Sequence, residues 1–74
     1  MDIEVRFRKL ESRYRTALSA AVAARANYLA LAGVSGVTPA AVERAKSLWQ
    51  QIEFRKRIIV AKMAELEALE DAAS

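Results

Sequence analysis

The chain contains neither cysteine nor histidine. The first absence excludes disulfides, thiolate metal sites and cysteine nucleophiles; the second removes the commonest general base and the commonest metal ligand. Proline occurs once and glycine twice, all three within Gly33–Pro39, and aromatic residues make up only 7% of the 74 positions. The N-terminus is charged from Asp2 onward with no apolar h-region, so no secretory signal is expected. The uncharged apolar run Thr16–Ala24 is too short to cross a bilayer. These absences point to a small cytoplasmic helical protein with no membrane span, no cofactor and no metal site.

The remaining catalytic vocabulary is thin. Glu65, Glu67, Glu70 and Asp71 cluster, but at the fraying end of a helix, where no enclosed pocket tunes a carboxylate for acid–base work. The serines have no histidine partner. A glycine-rich phosphate cradle would need a preceding strand and a following lysine, and Gly33–Pro39 has neither. The expectation is a non-enzymatic protein.

What is present is helical periodicity. In the first arm the series Ile3, Phe7, Leu10, Tyr14, Ala17, Ala21, Ala24, Tyr28, Leu31 alternates steps of four and three, the seam of a coiled coil. In the second arm one such seam runs Ala41, Ala45, Leu48, Ile52, Arg55, Ile59, Lys62, Leu66, Leu69. An equally good series takes Trp49, Lys56 and Met63 in place of 48, 55 and 62. Trp49 and Leu48 are expected opposite the alanines of the first arm, large against small.

Between the arms, Gly33 stands where a left-handed C-terminal cap belongs, Thr38 can cap the next helix, and Pro39 suits its first position. Val37 and Val42 form a candidate hydrophobic staple. The sequence therefore predicts an all-α fold: an antiparallel two-helix hairpin in a single domain, 1–74. Helix 1 covers about 2–32, the turn 33–38, and helix 2 about 39–72.

Two helices of this length leave much apolar surface uncovered. Leu18, Val22 and Leu29 on the first arm, with Phe54 and Ile58 on the second, form a second apolar set beside the seams. This set predicts a homodimer completing a four-helix bundle, or a protein partner at the same place. In a simple fold-back, residue i faces roughly 72 − i, which places basic Arg6, Arg8 and Lys9 beside acidic Glu65, Glu67, Glu70 and Asp71. It also gathers Arg13, Arg15, Arg55, Lys56 and Arg57 into a basic band around the middle.

The functional expectation is a protein-interaction module (an adaptor, small chaperone subunit or antagonist) that docks partner helices through apolar seams flanked by that band. The alternative is a nucleic-acid-binding hairpin dimer, similar to Rop in gripping RNA by its helix faces. The helix, the short turn containing Gly33 and Pro39, and the second helix with the pair Trp49-Gln50 also resemble the helical-hairpin co-chaperones of type III secretion needle subunits. That resemblance implies a co-chaperone role.

Overall fold

Residues 3–32 hold no glycine or proline, and nothing in them interrupts an i to i−4 hydrogen-bond ladder. In the structure, a computed structural model describing residues 2–73, they form one unbroken helix, α1 (Ile3–Ala32). A second helix, α2 (Pro39–Ala73), packs back along it, so the protein is an all-α hairpin about 58 Å long and 15 Å across.

The helix ends are closed by side chains and by the turn. Asp2 caps α1 by accepting a hydrogen bond from the Glu4 amide at 3.0 Å. At the other end the Gly33 amide donates to the Leu29 carbonyl at 3.2 Å, and Val34 donates to Leu31 at 3.3 Å. Thr38 starts α2 as expected: its hydroxyl accepts from the Ala41 amide at 3.2 Å, and its carbonyl accepts from Ala41 and Val42. Val37 and Val42, the expected staple pair, are both half-buried. One expectation needs correction. Gly33 keeps right-handed geometry (φ −90°, ψ −4°), and the left-handed residue is Gly36 (φ 92°). The chain leaves α1 without changing hand and turns over three residues later, because Val34 continues the last helical turn.

The first seam is as the periodicity predicts: all nine positions from Ile3 to Leu31 are buried or half-buried. In α2 the structure chooses between the two series. Ala45, Trp49, Ile52, Lys56, Ile59, Met63 and Leu66 face inward, whereas Leu48, Arg55, Lys62 and Leu69 are exposed. Leu48 therefore does not fill the space opposite the alanines. Trp49 takes the inward position beside it, and its ring stacks on Tyr28, with centroids 5.7 Å apart and planes 17° from parallel. A simple fold-back would bring Tyr28 to residue 44, five residues short of Trp49. Helical side chains lean toward their own N-termini. Tyr28 accordingly reaches away from the turn and Trp49 toward it, and the rings meet.

The core is small. Among the described residues only Leu10, Ala21, Ala24, Ala45 and Leu66 are buried, and three of these five are alanine. The chain exposes 5666 Å², whereas a folded monomer of 8.2 kDa should expose about 4500 Å². The radius of gyration is 16.9 Å, against about 11 Å for a compact chain of this length.

The turn and the seam make three predictions. Gly36→Ala places a Cβ on a left-handed residue and should destabilise by roughly 1–2 kcal/mol in urea unfolding. Gly33→Ala meets only ordinary contacts, the nearest at 3.6 Å, and should be neutral or stabilise by up to about 1 kcal/mol. Ala21, 2% exposed, has no space for a larger side chain. Ala21→Leu should cost about 1–3 kcal/mol in the same assay by forcing the helices apart.

Candidate interaction surfaces

The seam divides the hairpin into two sides. In an antiparallel pair, residues that follow one edge of the seam in α1 meet those following the same edge in α2. On one side these are Glu11, Leu18 and Arg25 of α1 with Glu53, Val60 and Glu67 of α2. On the other they are Arg6, Arg13 and Ala20 with Arg55 and Lys62. The two sides differ in charge, in seam lining and in exposed apolar surface.

The first side is close to neutral and locally paired. Arg8 bonds Glu4 at 2.7 Å and Arg15 approaches Glu11 at 3.6 Å, each one turn along α1. Both pairs are well exposed and contribute little on their own. The pairing of Arg8 with Glu4 replaces the partnership expected for it with the acidic end of α2.

A tighter cluster lies at the seam edge. Trp49 Nε1 donates to Glu53 Oε1 at 3.3 Å, and Lys56 Nζ lies 3.1 Å from Glu53 Oε2. Lys56 occupies a seam position with its side chain only 20% exposed. Its alkyl stem covers apolar surface while the ammonium leans out to Glu53. The bond from Lys56, aided by its charge, by the Trp49 donor and by Arg57, holds the Glu53 carboxyl below its ordinary value despite partial desolvation. Tyr28, Trp49, Glu53 and Lys56 thus form one chain of contacts from ring stack to ion pair.

This first side also carries most of the aromatic seam surface and an apolar strip. Tyr14, Val60, Met63 and Ala64 line a shallow recess. Leu18 and Val22 continue along α1 one and two turns beyond Tyr14, and Leu29 follows farther toward the turn. Leu18, Val22, Leu29 and Val60 are all exposed, Val22 by 64%.

Phe54 and Ile58 do not extend the strip. Phe54, 60% exposed, stands on the outer ridge of α2, between a recess shared with Arg25, Trp49 and Arg57 and another shared with Ser47 and Arg55. Ile58, also exposed, lies three residues after Arg55 and four before Lys62, on the opposite side from Leu18.

The basic band is likewise divided. Lys56 is in the seam and bonded to Glu53, and Arg57 shares the Trp49 recess with Arg25. Arg15 pairs with Glu11 on the first side. Arg13 and Arg55 lie on the second side, lining one groove over Ala17, Ala20, Ile52 and Ile59. That groove continues toward the open end, where Arg6, Lys9, Arg13 and Lys62 surround the single carboxylate of Glu65 above Leu10 and Leu66. The sequence places Arg6 and Lys9 beside the acidic end of α2 and Lys62 in the seam, so this grouping differs from the expectation. The signal that could have found them is a heptad in charge: Arg6 and Arg13, like Arg55 and Lys62, stand seven apart and so share a face.

Among the described residues there is no grouping of three or more carboxylates able to hold a metal ion, and no helix is long and apolar enough to cross a membrane. The recesses are open grooves along the helix pair. Compared with protein-family models, with curated proteins and with solved structures, the chain matches none. Its likeness to secretion co-chaperones therefore rests on architecture and the Trp49-Gln50 pair alone.

The Glu53 cluster makes a pH prediction. A carboxyl held below its ordinary value of 4.5 contributes stability that is fully present above that value and is lost as pH falls through the lowered one. Thermal unfolding followed between pH 6 and 2 should therefore show a decline below about pH 4.5 that is shallower in Glu53→Gln. Trp49 fluorescence should shift over the same range in the parent alone.

Proposed function

We propose that the protein is a non-catalytic interaction module whose hairpin pairs with a second copy through the first side, completing a four-helix bundle that docks partner helices. The observation that carries this reading is the exposed surface. The chain exposes 5666 Å², about 1100 Å² more than a compact monomer of its mass. That excess is of the size one partner contributes to a standard interface, about 800 Å². A hairpin alone cannot remove it, because each helix has only one neighbour.

The first side is where a copy fits. Its strip of Leu18, Val22, Leu29 and Val60 is apolar, three of its cations (Arg8, Arg15 and Lys56) are paired along their own helices, and the half-buried rings of Tyr14 and Trp49 border its recesses. A two-fold axis through the strip sets the same residues against themselves. Near-neutral flanks raise no repulsion when that happens. The second side, with five cations around its groove, would repel its own copy. Self-association through the first side leaves the second facing outward and available to a different molecule.

The test is mass in solution. Light scattering at tens of micromolar should give twice the chain mass, and Leu18→Asp or Val22→Asp should give a single chain. Each substitution buries two unpaired carboxylates in a two-fold interface, which should raise the dimer dissociation constant by about a hundredfold or more. Both positions are exposed in the hairpin, so helicity of the separated chain should be retained. A parent mass of one chain with sharp cooperative unfolding would sink the dimer.

A further inference from the structure

We infer that the groove on the second side is a docking site for an acidic amphipathic helix of a partner protein. The inference rests on the reading above, which leaves this side free, and names the chemistry of what it binds.

The groove has three properties. Its walls are basic: Arg6, Lys9, Arg13, Arg55 and Lys62 stand along it against Glu65 alone. Its floor is aliphatic: Leu10 and Leu66 at the open end, then Ala17, Ala20, Ile52 and Ile59. It is long: from Arg6 to Ala20 along α1 is about 21 Å at 1.5 Å per residue, four turns of a helix lying alongside. Ala17 and Ala20 on the floor also have side chains too short to hold a third backbone away.

Each property bears on the choice of occupant. Five cations within about 20 Å, several closer than a screening length, repel one another and favour an anionic ligand. Nucleic acid would use the charges but not the floor. Single strands bind such grooves by stacking bases on aromatic rings, and no aromatic residue lines either part of this groove. The recesses that Tyr14 and Trp49 border are on the other side. A helix with Leu or Ile along one stripe and Asp or Glu beside it uses both features, placing aliphatic side chains over Leu10, Ile52, Ile59 and Leu66 and carboxylates at the Arg13 and Arg55 walls. A second copy is a poor source of such a helix: its acidic stretch Glu65–Asp71 has Leu66 buried against α1 and Leu69 as its one exposed large apolar residue, so no aliphatic stripe is free beside the carboxylates. Ile58, exposed beside Arg55 and Lys62, extends the apolar contact at the rim.

The probe is a fluorescent synthetic helix of about six turns, Leu on one face and Glu on both flanks, read by anisotropy at near-physiological salt. Its controls are a shuffled peptide of the same composition, the Leu/Lys counterpart, and single-stranded and duplex RNA of matching length. The amphipathic acidic peptide should bind at least about tenfold tighter than the shuffled one and than either RNA, and the Leu/Lys peptide should not bind. Arg13→Glu with Arg55→Glu should weaken it by at least about tenfold. Arg15→Glu, on the first side, should change it less than about twofold. Circular dichroism checks that each variant stays helical.

Equal binding of the shuffled peptide, tighter binding of RNA, an equal effect of Arg15→Glu, or no binding of any probe would each overturn the inference. The mass measurement separates the two readings. A dimer that ignores the peptide refutes the groove alone, and a monomer that binds it through Arg13 and Arg55 refutes only the dimer.

Discussion

Two helices side by side enclose no interior, and every other property of this protein follows from that constraint. A side chain in a two-helix seam is covered from one direction and open along both edges. Burial then depends on how closely the backbones approach, which favours small residues at the contact. Ala21, Ala24 and Ala45 are buried because they are small enough to lie between the helices. Phe7, Tyr14, Trp49 and Met63 are half-buried because their side chains pass the contact and spread over an edge. The alanines set the spacing, and the large residues turn the edges into surfaces.

The two edges are chemically distinct. One is bordered by the rings of Tyr14 and Trp49, with ion pairs closed along single helices; the other is floored by aliphatic residues and walled by cations. Lys56 lies in the seam between them. A lysine at a seam position costs stability relative to an apolar residue, and less when its ammonium reaches an acceptor. Here the acceptor is Glu53, three residues back in the same helix, on the ring side. Sliding α2 along α1 would separate Trp49 from Tyr28 while leaving Glu53 and Lys56 together. The stack is therefore the specific contact between the arms, and the ion pair holds the Trp49 indole in the orientation that makes it.

Much of the fold was legible before the structure. The first arm repeats one apolar pattern without a break, and only that face of α1 can be the buried one. Thr38-Pro39 marks a helix start by chemistry that needs no tertiary context. The glycines were less informative. Gly33 and Gly36 both permit a left-handed turn, and which one takes it depends on whether Val34 prolongs the last turn of α1, a choice made by the path into Val37 and not by either glycine. The inward face of α2 was ambiguous because its two candidate series share Ala45, Ile52, Ile59 and Leu66 and differ only at three neighbouring pairs. Leu48, Arg55 and Lys62 alternate with Ile52 and Ile59 as regularly as Trp49, Lys56 and Met63 do, and period alone cannot separate two stripes one residue apart.

That single-residue ambiguity hid the charged surface. With 48, 55 and 62 in the seam, Arg55 and Lys62 would be inward-facing cations and the leftover positive charge would form a ring around the middle. With 49, 56 and 63 inward, the same two residues move to the flank. There they join Arg6 and Arg13, which the periodicity of α1 had already placed on one side of its helix. A rotation of α2 by about 50°, half the angle between adjacent residues because Ile52, Ile59 and Leu66 face inward either way, converts a girdle of charge into a walled groove. The contacts that go with it are the stack of the Trp49 indole on Tyr28 and the seam position of Lys56, whose flexible stem suits that place better than the rigid guanidinium of Arg55, with five donors to satisfy. The distribution of surface charge thus follows from which of two adjacent stripes of α2 faces α1, and the Tyr28–Trp49 stack is the contact that distinguishes them.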